Sequence, residues 1–183
     1  KAQEKKLECE KLISEMEKSK TVNISHHCDD PNVGLGSTED LLRYKMFVGD
    51  TGLFVTLAFR DKAFTENVIY ERLLSDKLAT NLGYLYENIV AQMLKASGNK
   101  LFYHAWPTES GKHNYEVDFL LSRGTKILPV EVKSSSYKTH ASLDAFCKKF
   151  SSRITNERFL IYTKDYAHEK SVKYLPAYMA YFL

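Results

Sequence analysis

A phosphate-cradling glycine run is missing from this chain. No Gly-x-x-x-x-Gly-Lys-Ser/Thr segment occurs, and only 8 of 183 residues are glycine, so these residues hold no P-loop for ATP. Cysteine is scarce. Cys9, Cys28 and Cys147 are widely spaced and odd in number. They make no Cys-x-x-Cys pair and no disulfide framework, which points to a reducing cytoplasm. No apolar run of about eighteen residues occurs, so no segment reads as a membrane-spanning helix. Neither sign of charge dominates: 26 basic and 23 acidic residues leave a net +3, too little to identify a nucleic-acid partner. There is no signal-peptide pattern, no internal repeat and no low-complexity linker.

What is present suits a globular protein. Apolar residues make up 44 % and aromatics 13 %, with 12 Tyr. A chain of this length can bury one good core and carry a small appendage. It opens on Lys-Ala-Gln rather than methionine, and is read as the C-terminal piece of a longer polypeptide.

The most informative stretch is Glu116-Val117-Asp118-Phe119-Leu120-Leu121, followed by Pro129-Val130-Glu131-Val132-Lys133. Both alternate in polarity and read as strands. Leu128, Val130 and Val132 share one face of the second strand, which leaves Glu131 and Lys133 together on the other. Tyr115, Val117, Phe119 and Leu121 are expected on one face of the first strand, turning Asp118 the opposite way. The link from Ser122 to Lys126 contains Gly124 and reads as a hairpin turn. Asp118, Glu131 and Lys133 then converge on one surface. Two carboxylates and an ammonium so placed are a minimal kit for holding a hard divalent cation against a phosphate. Charged residues on the solvent side of an ordinary hairpin are the alternative.

Upstream, residues 76–97 form an amphipathic helix, with Leu78, Leu82, Leu85, Tyr86, Ile89, Val90, Met93 and Leu94 at helical spacing. Glu87 lies at the edge of that stripe, one turn after Gly83. It is either an acid looking toward Asp118 or a solvated flank residue. A mid-helix glycine costs roughly 1 kcal/mol against alanine, and close approach of a neighbouring backbone would account for Gly83.

The order Gly83-x-x-Tyr86-Glu87, then Glu116-Val117-Asp118-Phe119, then Pro129-Val130-Glu131-Val132-Lys133-Ser134 resembles the PD-(D/E)XK nuclease-like superfamily. More narrowly, it is similar to the C-terminal domain of unknown function attached to bacterial and archaeal AAA+ ATPases. The stretches from Tyr44 to Leu53, from Tyr84 to Ala91 and from Tyr174 to Met179 carry the narrower likeness. The resemblance implies an α/β fold, a restriction-endonuclease-like mixed β-sheet flanked by helices, over residues 40–183. Residues 1–39 would be the remnant of a preceding winged-helix-like segment and a loop. By matching position, Asp118 and Glu131 would be the metal ligands, with the Val132 carbonyl as a further oxygen. Lys133 would hold the phosphate or the attacking water, and Glu87 would be the accessory acid. Mg²⁺ or Mn²⁺ is the implied cofactor. ATP would belong only to the upstream module of the same polypeptide, which is the implied partner together with DNA or RNA.

The remaining segments read as follows. Residues 1–18, with Leu7, Leu12, Ile13 and Met16, form a Lys/Glu-rich helix. Residues 21–25 form a short strand. His26-His27-Cys28-Asp29-Asp30 lacks a second ligand pair for zinc and reads as a loop. Ser37 caps a short turn through Leu41 and Leu42, and residues 45–48 are extended. Residues 53–59 form a short buried helix, residues 64–74 another helix and residues 100–105 a strand. Residues 142–151 form a helix, residues 159–163 a strand, and the apolar ending docks on the body. Lys133, Lys138, Lys148, Lys149 and Arg153 lie near or after the hairpin and suit either a phosphate backbone or a solubilising surface. His104 and His113 suit a phosphate contact or a structural place.

The residues leave two functions open. One is a metal-dependent phosphodiesterase acting on DNA or RNA. The other is a catalytically idle nuclease-fold module that serves an ATPase in partner binding, DNA binding or oligomerisation. DNA binding through the N-terminal segment alone has too little sequence to support it.

Overall fold

The computed structural model describes residues 2–59, 71, 82–135 and 137–183. The elements are α1 (Ala2–Lys18), β1 (Val22–Cys28), a 3₁₀ turn (Leu35–Thr38), β2 (Glu39–Val48), α2 (Thr51–Phe59), α3 (Leu82–Ala96), β3 (Leu101–Pro107), β4 (Asn114–Arg123), β5 (Lys126–Val132), α4 (Ala141–Lys149), β6 (Arg158–Tyr162), β7 (Ala167–Glu169), β8 (Val172–Pro176) and a closing 3₁₀ helix (Ala177–Phe182). The eight strands form one mixed sheet in the order β2-β1-β3-β4-β5-β6-β8-β7. β3, β4 and β5 are antiparallel neighbours, while β1 runs parallel to β3 and β5 parallel to β6. The helix expected at 64–74 and the first residues of the one expected at 76–97 lie outside the described residues.

Two apolar layers sandwich the sheet, as expected when helices cover both faces. On one side α3 presents Val90, Ala91 and Leu94 to Phe47, Phe119, Leu121, Leu128, Val130, Val132 and Ile161. On the other, α4 buries Leu143, Phe146 and Cys147 against Phe102, Val117, Leu120 and Ile127. The closing 3₁₀ helix packs Ala180 and Met179 on the α3 side, so the ending does dock. Tyr178, Tyr181 and Phe182 nevertheless stay exposed.

Several expectations are corrected. The stretch His26-His27-Cys28 is strand, not loop, because β1 continues through it between β2 and β3. The sheet therefore draws on residues on both sides of position 39/40. Leu41 and Leu42 belong to β2 rather than to a turn, in an irregularity where β1 pairs Tyr44 and then Asp40. α2 is not a buried helix: Leu53 and Leu57 are exposed. Asp50 caps it by accepting the Leu53 N–H at 2.8 Å. No strand is expected between residue 163 and the apolar ending, yet β8 lies there with Val172, Tyr174 and Leu175 buried in the sheet.

The largest correction concerns β4. Its register against β3 slips between the Phe102–Leu120 and His104–Val117 pairs, so β4 carries one residue more than its partner there. Simple alternation fails at this bulge. Val117 and Leu120 pack on the α4 side, whereas Phe119 and Leu121 pack on the α3 side. The β4–β5 turn matches the sequence reading, with Arg123 opposite Lys126 and Gly124 at φ 59. A positive φ at the first central position of a two-residue hairpin favours glycine.

Gly49 closes the edge of the sheet. Its N–H donates to the Thr21 carbonyl at 2.7 Å, and a Cβ there would collide with the Lys20 carbonyl oxygen. Gly49→Ala is expected to cost about 2 kcal/mol, because backbone must move rather than a flexible side chain. Urea unfolding measures this, and an unchanged midpoint would contradict it.

Candidate active site

β4 and β5 are paired from Arg123–Lys126 up to Phe119–Val130. Beyond that point Asp118 lies in the gap. Its Oδ2 accepts the Val132 N–H at 2.8 Å, so a side chain takes over where the ladder stops. Asp118 and Glu131 are both buried. The Lys133 ammonium donates to Glu131 Oε1 at 2.8 Å, as their shared parity predicts. Glu131 Oε2 is buried and has no hydrogen-bond partner among the described residues. Val132 packs toward α3 and lines a cleft of about 310 Å³ with Gly83, Glu87 and Lys133.

Two residues that sequence reasoning did not single out join this group. Lys45 of β2 reaches Glu116 Oε1 at 2.5 Å, Glu87 Oε2 at 3.4 Å and Asp118 Oδ1 at 3.6 Å. It lines a larger cleft, about 690 Å³, together with Gly83, Glu87 and Glu116. A signal was available: Lys45 has the same strand parity as the buried Phe47, and an inward lysine needs an anionic partner. Glu116 has the parity of Asp118.

The strand bearing Lys45 is fastened to α3 by buried amide chemistry. Asn88 Oδ1 accepts the Val48 N–H at 2.8 Å, and its Nδ2 donates to the Val48 carbonyl at 3.0 Å and to Thr51 Oγ1 at 3.1 Å. Gln92 Oε1 accepts from Thr51 N–H at 3.0 Å and from its hydroxyl at 2.7 Å. The helix that carries Glu87 thus also sets the place of Lys45.

Four carboxylates here face two ammonium groups, an excess of two negative charges when all are ionised. Burial pushes Glu131 up to about 8, helped by the Asp118 charge and opposed by Lys133. Burial also raises Asp118, against the pull of Lys45 and the Val132 N–H. Glu87 is raised by burial and by Asp118. For Lys45 burial opposes the charge, but Asp118, Glu87 and Glu116 outweigh it and hold the ammonium above the usual lysine range. Lys133 is raised likewise: burial opposes its charge, and Glu131 outweighs it. Carboxyls perturbed by burial and by specific charge partners, set around a cleft, are a physical signature of functional sites.

Other basic candidates point elsewhere. Lys149 packs over the Trp106 and Phe150 rings. Arg153 pairs with Asp30 at 2.5 Å. His104 is buried, stacked on Trp106, and His113 is exposed on a loop. Among the described residues no three His, Cys, Asp or Glu side chains form a ready-made metal shell. No helix among them is long and apolar enough to cross a membrane. All three cysteines are free thiols.

Fold and site together define a mixed α/β domain, an eight-stranded sheet flanked by helices, with a half-buried carboxylate–lysine cluster at the end of a hairpin. The chain matches the family described as "Domain of unknown function (DUF4143)" over residues 82–179, more than half its length, and belongs to that family. The matched stretch contains Glu87, Glu116, Asp118, Glu131 and Lys133, and leaves Lys45 upstream. No curated protein and no solved structure matches the chain.

Proposed function

We propose that this is a restriction-endonuclease-like domain of the PD-(D/E)XK type. Its activity would be metal-dependent cleavage of phosphodiester bonds in nucleic acid, as the C-terminal module of an AAA+ ATPase polypeptide. The observation that carries this reading is Asp118, bound to the Val132 N–H where β4 and β5 part, beside the Glu131–Lys133 ion pair with a buried Glu131 oxygen left unpartnered.

The donor set fits Mg²⁺ or Mn²⁺. Both accept oxygen ligands, Mg²⁺ keeps several waters, and two carboxylates plus a backbone carbonyl suffice. Asp118, Glu131 and the Val132 carbonyl would hold the ion. A bound divalent cation relieves the local negative excess and offsets charge developing on phosphate. The chain's own residues do the rest. The Val132 N–H fixes the Asp118 carboxylate. Lys133 supplies a point charge to the scissile phosphate, a role that arginine's planar fork would not reproduce. Glu87 lines both clefts and acts as the accessory acid.

A second reading has its own support. Lys45 and Lys133 already neutralise much of the cluster, so the domain can stand without an ion as an accessory module for partner or DNA binding or for oligomerisation of the ATPase. The test is incubation with circular and linear DNA and with RNA, in Mg²⁺ or Mn²⁺, beside calorimetric metal titration. Cleavage that Asp118→Ala and Lys133→Ala abolish supports the enzyme. No cleavage and no heat of metal binding would favour the accessory module.

A further inference from the structure

We propose that Lys45 is a tethered internal cation that guards the candidate metal site: it must swing away from Asp118, keeping Glu116 as its partner, before a divalent ion is held by Asp118 and Glu131. The proposal rests on the metal-dependent reading above and adds a regulatory part to it, supplied by a strand outside the family-matched stretch.

The oxygen bookkeeping leads there. Asp118 Oδ2 already accepts the Val132 N–H, so Oδ1 is the less engaged oxygen, and Oδ1 faces Lys45 at 3.6 Å. Glu131 Oε1 is taken by Lys133, and Oε2 is the buried, unpartnered one. Asp118 and Glu131 would hold the ion, each with an oxygen that accepts no hydrogen bond from the chain's described residues. With a metal–oxygen distance near 2.1 Å, that ion and the ammonium would stand within about 6 Å of each other in a poorly solvated place. Their repulsion weakens the hold on the ion, and moving the ammonium aside relieves it.

The side chain yields, not the strand. Lys45 pairs across the ladder with Ser25 of β1, and Asn88 clamps Val48 three residues on. Its flexible stem is free to swing. Glu116 is its nearest partner and, at 40 % side-chain exposure, the most solvated of the three acids. It is the partner that the ammonium keeps as it leaves Asp118.

The test is calorimetric Mn²⁺ titration of the full chain, with thermal unfolding as a second readout. Lys45→Met should tighten Mn²⁺ binding at least tenfold. Without metal it should lower the melting temperature, because three acids lose their shared cation, and Mn²⁺ should restore more than it adds to the wild type. Glu116→Gln should weaken Mn²⁺ binding in the wild type, with a much smaller effect in the Lys45→Met background. An unchanged or weaker Mn²⁺ affinity in Lys45→Met overturns the guard. If that variant does not fold, equal affinities of Glu116→Gln and wild type overturn it instead. Mn²⁺ binding that Asp118→Asn removes and Lys45→Met leaves unaltered sinks the guard alone. No Mn²⁺ binding in any of these proteins sinks the metal reading and the guard together.

Discussion

Asp118→Asn is expected to reduce metal-dependent cleavage at least about a thousandfold, equivalent to roughly 4 kcal/mol of transition-state stabilisation. Its melting temperature should hold or rise when no metal is present. The amide keeps an oxygen for the Val132 N–H, so the end of the β4–β5 pairing survives. What it removes is one buried negative charge from a group of four carboxylates. Burial already disfavours that charge, and removing it relieves Glu87 and Glu131, whose pKa values Asp118 raises. Function and stability therefore move in opposite directions, a frequent outcome at sites built for chemistry. Asp118→Ala is a blunter probe because it also strands a buried N–H. Cleavage assays and thermal melts on the two proteins decide the matter. An Asn variant that keeps full activity, or one that melts far below the wild type, would contradict this account.

Acid should weaken the fold through His104. The ring lies between Trp106 and the Phe146 and Phe150 rings, and Nδ1 lies 2.7 Å from the Cys28 carbonyl. A carbonyl only accepts, so Nδ1 carries the proton, and Nε2 is buried with no partner among the described residues. Burial depresses the folded-state pKa to about 4, although the bond to Cys28 pulls the other way. The unfolded chain takes up this proton near pH 6.5. Between pH 6.5 and 4 the unfolded state thus binds more protons. Stability present above pH 6.5 is lost as pH falls through that window, by about 3 kcal/mol in all. Glu131, raised to about 8, takes up its proton in the folded state over the same range and acts in the opposite direction, so the loss is read as a difference between two proteins. Urea unfolding at pH 7 and pH 4.5 should show His104→Phe, which keeps an aromatic ring and cannot titrate, gaining on the wild type as pH falls. An identical pH slope in both proteins would assign the acid sensitivity to other groups.

The β5 part of the candidate site was legible because strand parity is a local property. Glu131 and Lys133 lie two residues apart, and their ion pair follows from alternation alone. The turn between Arg123 and Lys126 was legible from its glycine. Lys45 was harder. It enters through β2, and only the order β2-β1-β3-β4 carries that strand toward Asp118. The parallel β1–β3 pairing that fixes this order is non-local and leaves no short-range mark. β8 was missed because Tyr174-Leu175-Pro176 ends on a proline, and its short partner β7 closes the sheet from one side only. α2 looked buried from its apolar run, yet a nine-residue helix at the margin of a sheet can leave leucines in water.

The extra residue in β4 makes the aim of Asp118 a question of counting as much as of chemistry. Deleting a single residue between Val117 and Leu120 would restore even alternation and rotate the neighbouring side chains about the strand axis. An aspartate could then remain in the written sequence and vanish from the cleft. Kinship judged by the letters at aligned columns would overlook such a loss, and the spacing from valine to leucine is the quantity to compare.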